Sequence, residues 1–243
     1  MALIVRTFKS LPGRDSELLE CLGSVAWGIV RYLGAGSVVI CRQDNDPEQF
    51  FWIGDRGCES DFQPLPFRKE LLESYEHSLA ECSPPLSLGF VDEFYHFPPP
   101  PYQVWNLEAH AQQEGQADIL RGLFDLSRLA RRDRHVAGMS LYRVAADPGI
   151  FIGFLGLTRG FTPITLVHRG VVELSITGQI ERTVVWRPLS VAYQVGRPGS
   201  GEGVTGGGEG ISSAPFWARS GVLPTHSSVS KEATAEVERS NRS

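Results

Sequence analysis

The chain has 243 residues, of which 42% are hydrophobic and 21% are charged, and its formal net charge is −5. This composition is typical of a globular protein with room for two modest domains, and the acidic balance offers no surface for neutralising phosphates, so we expect no nucleic-acid partner. No apolar run approaches the roughly 20 residues of a membrane-spanning helix, and no secretion signal opens the chain. We therefore expect a soluble cytoplasmic protein with no membrane partner.

The first hundred residues predict the element order β-α-β-β-α-β. Asp15 or Ser16 is expected to cap the first helix, and the Asp, Asn and Pro residues at 43–47 are typical of the turn of an antiparallel hairpin. This order is the ferredoxin-like split motif, an antiparallel sheet with helices on one face. The predicted segments are strand 3–8, a helix from 15 to about 30, strands 37–42 and 49–53, helix 67–80 and strand 88–97.

The same pattern returns in the second half of the chain. Residues 38–50 align with 139–151 at a constant offset of 101 positions (143 − 42). The apolar stripe of the first helix aligns at the same offset, without a gap, with residues 119–126. A period near a hundred residues indicates duplication of a complete small domain rather than a solenoid. The four identities in the repeat are Arg42 with Arg143, Asp46 with Asp147, Pro47 with Pro148 and Phe50 with Phe151.

Four prolines at 98–101 mark the boundary between the two copies. The second copy predicts a strand at 102–107, a helix at 117–129, a hairpin made by 171–177 and 180–186, and a last strand at 189–195. From 197 onward glycine and serine dominate, so we expect a disordered tail. The predicted domains are a first ferredoxin-like unit at 1–97, a second unit at 98–196 that diverges in its C-terminal half, and the tail at 197–243.

The predicted central strands have an apolar residue at nearly every position, as in residues 50–53 and 151–154. Such strands are buried on both faces, and helices cover only one of them. We therefore predict an α+β fold in which the two sheets pair with each other as an internal pseudo-dimer. A chain that already contains this contact needs no second copy, so we expect a monomer.

The residue pattern supplies few candidates for chemistry. Arg42 and Arg143 end equivalent strands beside Asp46 and Asp147, where each arginine either binds an anionic or phenolate oxygen or forms a local turn-stabilising ion pair. A second candidate feature is a set of four aromatic residues that either line a pocket or pack in the core. They are Trp52, Tyr102, Trp105 and Tyr142. The chain has no Ser-His-Asp order or phosphate loop. Its four cysteines are far apart, so we expect reduced, mostly buried thiols and no metal.

Several of these residues resemble a known family, the antibiotic biosynthesis monooxygenase-like proteins, also called dimeric α/β-barrel proteins. The resemblance is carried by residues 3–6 leading to Leu11-Pro12-Gly13-Arg14, by Gly34-Ala35-Gly36-Ser37 before a strand, and by Asp46-Pro47 followed by Phe50. It implies ferredoxin-like units that pair sheet to sheet, in tandem in some members. The family includes oxygenases that act on aromatic polyketides or quinols without metal or flavin, haem-degrading enzymes and proteins without an established activity.

The chain departs from the family pattern after the hairpin. Where the family often has Glu and Trp, the first copy has Gly54 and Arg56, and the second has Leu155 and Leu157. The Asn, Trp and His of the haem-degrading branch are split between the copies, because Trp52 and His77 stand in the first copy and Asn106 stands in the second.

Two hypotheses follow from the sequence. In the first, the chain is a monooxygenase that needs neither cofactor nor metal and oxygenates a small quinol-like or anthrone-like aromatic molecule. Its catalytic residues would be Arg42, Trp52 and His77, and its substrate pocket would include Trp105, Tyr142 and Arg143. In the alternative, the chain is a non-catalytic tandem ferredoxin-like module that binds a ligand or a protein partner.

Overall fold

A computed structural model of the chain describes residues 3–33, 37–54, 69–96, 103–158 and 184–196. The predicted hairpin segment at 171–183 and the tail at 197–243 lie outside these residues. The described elements, in chain order, are β1 (Leu3–Ser10), α1 (Asp15–Gly28) with a π-helical turn (Ile29–Leu33), β2 (Ser37–Gln43), β3 (Asp46–Gly54), α2 (Lys69–Ser78), β4 (Leu79–Cys82), β5 (Leu86–Tyr95), β6 (Gln103–His110), a 3₁₀ turn (Gln113–Gly115), α3 (Gln116–Arg132), β7 (Val136–Val144), β8 (Ile150–Leu157) and β9 (Val184–Gly196).

Eight of the strands form a closed antiparallel barrel. Their order is β3-β2-β9-β6-β8-β7-β5-β1, and β1 closes the ring by pairing with β3. The short strand β4 pairs with the end of β1 beside β5. The α+β class predicted from the sequence is therefore confirmed, and the two sheets meet at their edges, where β2 pairs with β9 and β5 pairs with β7.

Local sequence accounts for most element boundaries. Leu11, Pro12, Gly13 and Arg14 form a β-turn closed by a 3.0 Å bond from the Arg14 amide to the Leu11 carbonyl. Gly13 has φ = 74°, as the third position of a type II turn requires. The predicted cap at Asp15 or Ser16 is wrong, because α1 begins at Asp15 and has no side-chain cap bond. The Asp15 carboxylate instead binds Arg42 of β2 at 3.1 Å.

Three apolar clusters hold the barrel together. One lies in the interior, where the inner faces of strands from both halves meet. The other two lie outside, under α1 and under α3. Alternate residues of each strand therefore face the interior and a helix, which explains why the strands are apolar at nearly every position. The buried interior residues are Leu3, Val5, Val39, Cys41, Phe51, Ile53, Leu88, Val104, Tyr142, Val144, Ile152, Phe154 and Leu189.

Strand pairing in the two halves corresponds at the same offset of 101 positions as the sequence repeat. In each half the strand order is the same, β5-β1-β3-β2 in the first and β9-β6-β8-β7 in the second. Even the bulge recurs, between Phe90 and Asp92 in β5 and between Val191 and Tyr193 in β9. Corresponding pairs include Leu3↔Leu88 with Val104↔Leu189, Val5↔Ile53 with Asn106↔Phe154, and Arg42↔Phe50 with Arg143↔Phe151.

Each half also contacts the helix of the other. Tyr193 of β9 lies against Gly23 of α1, where an added Cβ would come within 3.2 Å of the tyrosine ring. On the opposite side, Asp92 of β5 accepts hydrogen bonds from Ser127 at 2.6 Å and Arg131 at 2.8 Å, both on α3. Arg131 also lies 5.0 Å from the ring centroid of Phe94. These contacts, together with the two inter-half strand pairs, couple the folding of the halves.

Candidate functional site

One wall of the barrel interior carries polar side chains, which we call the inner polar set: Glu93, Asn106, Glu108, Ser140 and Arg187. The register places Arg187, Asn106, Phe154, Ser140 and Glu93 opposite one another on successive strands β9, β6, β8, β7 and β5. Ser140 is fully buried and Asn106 is 3% exposed. Buried polar groups are costly unless they are well hydrogen-bonded, so this set requires an explanation.

Arg187 and Glu108 form an ion pair within the inner polar set. Nη1 of Arg187 donates to Oε2 of Glu108 at 2.5 Å and to Oδ1 of Asn106 at 3.4 Å. His110 lies 2.7 Å from the other oxygen of Glu108. Burial acts to raise the pKa of Glu108, but the hydrogen bonds from His110 and Arg187 outweigh it, so the pKa is lower than usual. Glu108 is therefore a carboxylate that fixes the guanidinium.

Exposure along the inner face of β6 shows how this site is reached. Val104 and Asn106 are each 3% exposed, the Glu108 side chain is 29% exposed, and the His110 side chain is 58% exposed. The Arg187 side chain is 27% exposed. The set thus extends from the barrel mouth near His110 inward to the buried amide of Asn106.

A second polar pair and three aromatic rings complete this wall. Ser140 donates a 2.9 Å hydrogen bond to Oε1 of Glu93. The ring of Tyr142 packs edge-on against Phe154 and against Phe90, with a centroid distance of 6.3 Å in each pair. Aromatic faces beside fixed polar groups are the usual lining of a small-molecule site.

The repeat supplies an internal comparison for this wall, because each of its residues has a counterpart 101 positions away on the opposite wall. The aromatic residues Phe154, Tyr142 and Phe90 correspond to Ile53, Cys41 and Val191, although Phe51 corresponds to Ile152 in the reverse sense. The opposite wall therefore has the same backbone arrangement but carries mostly apolar side chains. The polar residues correspond as follows: Asn106 to Val5, Glu108 to Thr7, Ser140 to Val39, Arg187 to Leu86 and Glu93 to Gln194.

Arg42 and Arg143 have matching contacts in both halves. Arg42 binds Asp15 and Arg143 donates to Oε1 of Gln116 at 2.9 Å; Asp15 and Gln116 are the first residues of α1 and α3. Each guanidinium carbon lies 5.5 Å from the ring of the paired phenylalanine. Both arginines thus join a strand to the start of a helix. Arg143 also donates from Nε to the Pro148 carbonyl of its own turn at 2.7 Å, so a turn contact is present there, although through a carbonyl and not through Asp147. A role for either arginine in binding or catalysis stays a prediction.

Trp52 lies outside the barrel interior, fully buried beneath α1, with its ring centroid 6.4 Å from that of Phe8. Its counterpart is Gly153, where an added Cβ would lie 3.4 Å from Leu107, and at Gly54 an added Cβ would lie 3.3 Å from the Trp52 indole nitrogen. In the first half, Trp52 packs over Gly54. In the second half the sizes are reversed, because Gly153 stands in place of Trp52 and Leu155 stands in place of Gly54. Packing thus explains the position of Trp52, and a catalytic role for it stays a prediction.

The remaining predicted residues are dispersed. His77 is exposed on α2, with Nδ1 2.6 Å from the Glu73 carbonyl. Trp105 packs on the outer cluster under α3. Among the described residues that the sequence proposed as aromatic pocket lining, Tyr142 is the one on the wall that carries the inner polar set; Tyr102 lies outside the described residues. Trp52 packs outside the barrel under α1, whereas Asn106 faces the interior, so the two do not come together as the haem-degrading pattern would require. A catalytic role for His77 stays a prediction.

Sequence reasoning missed most of the inner polar set. The available signal was the alternation in β6, where Val104, Asn106 and Glu108 alternate with the helix-facing residues. Arg187 gave no such signal, because Pro188 divided the predicted strands at that point, whereas β9 continues through it. Among the described residues, no group of three or more His, Cys, Asp or Glu side chains is arranged to hold a metal ion. In the same part of the chain, no helix has the length and apolar character needed to cross a bilayer.

No protein-family model matches the sequence, and no curated protein matches it. Solved structures do match the fold. An anthrone oxidase-like protein has a TM-score of 0.58 at 9% identity, over 80% of this chain and 92% of that one. The fold is that of the antibiotic biosynthesis monooxygenase-like proteins. The predicted resemblance is thus confirmed for the fold, and identities this low carry no information on the reaction.

Two further structures of this fold match. A proposed monooxygenase from Fusobacterium nucleatum has a TM-score of 0.56 at 7% identity, over 81% of this chain and 94% of that one. A proposed monooxygenase from Lactobacillus acidophilus has a TM-score of 0.53 at 7% identity, over 80% and 95%. In each comparison the aligned part of this chain covers nearly all of the matched protein.

Proposed function

We propose that this chain is a monooxygenase-like protein that binds a small aromatic molecule, of the quinol or anthrone type, on the wall of the barrel interior that carries the inner polar set. The single observation that supports the proposal most strongly is the internal comparison: one wall holds Asn106, Glu108 and Arg187, and the equivalent wall holds Val5, Thr7 and Leu86 at the same backbone positions. The fold therefore does not require these polar groups, and a ligand would explain them.

The reaction that fits this wall is oxygenation of the bound molecule as its anion. The carbanion formed by loss of one proton from a CH2 carbon would bond to dioxygen as a peroxide; loss of the second proton of that carbon with cleavage of the O–O bond would leave one oxygen atom as the carbonyl oxygen and release the other as water. Hydrogen-bond donors that are already in place favour such an anion in a partly buried site. Arg187 and Asn106 offer the donors, and the Glu93 carboxylate, on the far side of Phe154, is the candidate proton acceptor.

The proposal includes the organisation of the chain. We propose two tandem units, 1–97 and 98–196, that pair as an internal pseudo-dimer and act as a monomer, with a disordered tail at 197–243. The matching strand registers and the inter-half contacts of Tyr193 and Asp92 support the pairing of the two units; the tail lies outside the described residues, and its proposal rests on its glycine and serine content. A cytoplasmic location is also proposed; it is supported by Cys21 and Cys41, which are buried thiols outside any disulfide.

Oxygen consumption with a panel of anthrones and quinols tests the proposal. We expect turnover by the wild type and its loss in the variant Asn106→Val, Glu108→Thr, Arg187→Leu, which copies the opposite wall. In parallel, His77→Ala and Trp52→Phe test the catalytic residues predicted from the sequence: retained turnover would place the site on the polar wall alone, and lost turnover would support the sequence prediction. Loss of activity in these two variants, with turnover retained by the triple variant, would show that the site lies on the helix-covered side of the sheet and not on the inner wall.

A non-catalytic ligand-binding module is the second candidate. The observation that favours it is that Arg42 and Trp52, both proposed from the sequence as catalytic, have contacts that packing explains. Binding of the panel compounds without oxygen consumption would support this candidate. Neither binding nor turnover across the panel would reject both.

A further inference from the structure

We propose that the exposed aromatic pair of Trp27 and Tyr32, on the outside of the barrel, is a docking site for a segment of this chain's own tail, Pro215-Phe216-Trp217. The pair lies at the end of α1, on its solvent side, so the inference goes beyond the proposed oxygenation in the barrel interior and does not depend on it. It adds one fixed contact to a tail whose other residues are proposed as disordered.

The two rings form a patch rather than two separate surface residues. Trp27 is 46% exposed and Tyr32 is 66% exposed, and their rings pack edge to face with centroids 5.8 Å apart. Tryptophan and tyrosine are enriched at the centres of protein interfaces, because each provides a large, rigid apolar surface. The pair therefore offers a preformed anchor site for another aromatic side chain.

The local helix geometry is what brings the two rings together. In an α-helix of about 3.6 residues per turn, side chains five positions apart point about 140° away from each other. The helix instead ends in the π-helical turn Ile29–Leu33, whose hydrogen bonds join residues five positions apart, and Tyr32 lies over Trp27. Such turns are rare and are frequent at functional sites.

The second half of the chain shows that the fold does not require this pair. At the offset of 101 positions, Trp27 corresponds to Arg128 and Tyr32 to Asp133. The α-helix α3 continues to Arg132, and Arg128 forms an exposed ion pair with Asp125 at 3.1 Å. The equivalent surface of the second half is thus an ordinary charged helix face. The aromatic pair is a feature of the first half alone.

The path of the chain identifies the tail as the occupant. Strand β9 ends at Gly196, which pairs with Ser37 of β2, and Ser37 lies five positions after Tyr32. Five residues span at most about 18 Å, and paired strands add about 5 Å. The tail therefore leaves the barrel within about 23 Å of the aromatic pair.

The length of the tail fits this distance. Phe216 lies 20 positions after Gly196 (216 − 196), and glycine and serine dominate the residues between them. A flexible linker of that length has a root-mean-square reach of about 22–27 Å. A linker whose reach matches the span gives the highest effective concentration, in the millimolar range.

The composition of the tail leaves one segment suited to the site. Phe216 and Trp217 are the only Phe, Trp or Tyr residues at 197–243, and Pro215 restricts the backbone before them, which lowers the entropy lost on docking. At an effective concentration of about 1 mM, a contact with a dissociation constant of about 1 mM forms in about half of the molecules. A second copy of the chain at about 10 μM would be about 100-fold less concentrated at the site.

Fluorine NMR of the full chain labelled with 5-fluorotryptophan tests the inference. The chain has five tryptophans, and Trp27→Phe and Trp217→Phe assign the two signals of interest. Phe216→Ser should shift the Trp27 signal. Tyr32→Ser should move the Trp217 signal to its position in a labelled peptide of residues 211–221. Both changes should be independent of protein concentration, because the contact is within one chain.

Two matched controls remove similar side chains elsewhere. Phe124→Ser removes an aromatic ring of α3 that is 43% exposed, and Leu223→Ser removes an apolar side chain of the tail beyond the docking segment. Neither should move the Trp27 or Trp217 signal. An unchanged urea midpoint establishes that Tyr32→Ser is folded; Phe216→Ser leaves the barrel sequence intact and tests the contact from the other side.

Two results would overturn the inference. If the Trp27 signal is the same in Phe216→Ser as in the wild type, and the Trp217 signal of the wild type already matches that of the peptide, the tail does not dock on the aromatic pair. If the two signals respond to each other only at high protein concentration, together with a dimer in sedimentation, the occupant is the tail of a second copy. Neither result depends on oxygen consumption, so the proposed function is tested separately.

Discussion

The triple exchange Asn106→Val, Glu108→Thr, Arg187→Leu should leave the barrel as stable as the wild type or make it more stable. Replacing a buried ion pair with apolar residues is often neutral or stabilising by about 1–4 kcal/mol. The Arg187 and Glu108 side chains are 27% and 29% exposed, so their burial costs less than that of a fully buried pair. Removing the weakly bonded amide of Asn106 adds to the gain. We expect a net change between zero and about 2 kcal/mol in favour of the variant.

The single variant Arg187→Leu should behave in the opposite way. It leaves the Glu108 carboxylate with His110 but without its cation. Breaking a fully buried pair costs about 3–5 kcal/mol; because Glu108 is partly exposed, we expect about 1–2 kcal/mol of destabilisation. Urea unfolding at unchanged m-value measures both effects, since about 2 kcal/mol moves the midpoint by about 1 M.

The pH dependence provides a second measurement on the same variants. The pKa of Glu108 is lower in the folded state than its usual value, so its contribution to stability is complete above the unfolded pKa of about 4.3 and is lost as pH falls through the folded pKa. The triple variant lacks this contribution and should lose less stability in acid. If the free energy of unfolding of the triple variant at neutral pH is instead more than about 2 kcal/mol lower than that of the wild type, the inner polar set is needed for stability. The argument from the opposite wall is then refuted.

Three further predictions concern the scaffold. Asp92→Ala removes two bonds to α3 and should lower the free energy of unfolding by about 1–3 kcal/mol, with Arg128→Ala as a surface control that changes it by less than about 0.5 kcal/mol. Arg42→Ala and Arg143→Ala should each destabilise by about 1 kcal/mol, since both bind helix starts; an unchanged free energy of unfolding with a specific loss of activity in either variant would instead favour the role predicted from the sequence. Residues 1–97 alone should form a dimer or aggregate in sedimentation experiments, because the interior cluster then loses half of its members; a stable monomer would contradict the paired-sheet arrangement.

Local sequence patterns predicted the hairpin β2–β3 and the helices α1 and α3, because turn residues and apolar periodicity act over a few positions. They did not predict β4, a four-residue strand that depends on its pairing with β1. They also gave the wrong partner for Arg42, because the carboxylate that binds it, Asp15, comes from a helix 27 positions earlier and reaches it only after α1 packs on the sheet.

The candidate site was harder to predict because it depends on pairing between distant strands. Asn106 and Arg187 are 81 positions apart in sequence and become neighbours only when β9 pairs with β6. The aromatic residues of the sequence suggested Trp52, which packs in the cluster under α1, together with Tyr142, which lies on the wall with the inner polar set. The most informative pattern was the repeat itself, once the register had identified the counterpart of each residue.

Differences between the two halves do not all carry the same meaning, and physical compensation separates them. The exchange of Trp52 for Gly153 alters volume, and neighbouring differences at Gly54 and Leu155 restore the packing, so stability alone explains it. The exchange of Val5 for Asn106 and of Leu86 for Arg187 adds polar groups to a barrel interior, and the bonds they make with each other leave one amide weakly bonded and one edge of a guanidinium without a partner in the described residues. Packing does not compensate for the cost of burying these polar groups, so the second kind of difference is the one that supports the proposed ligand site.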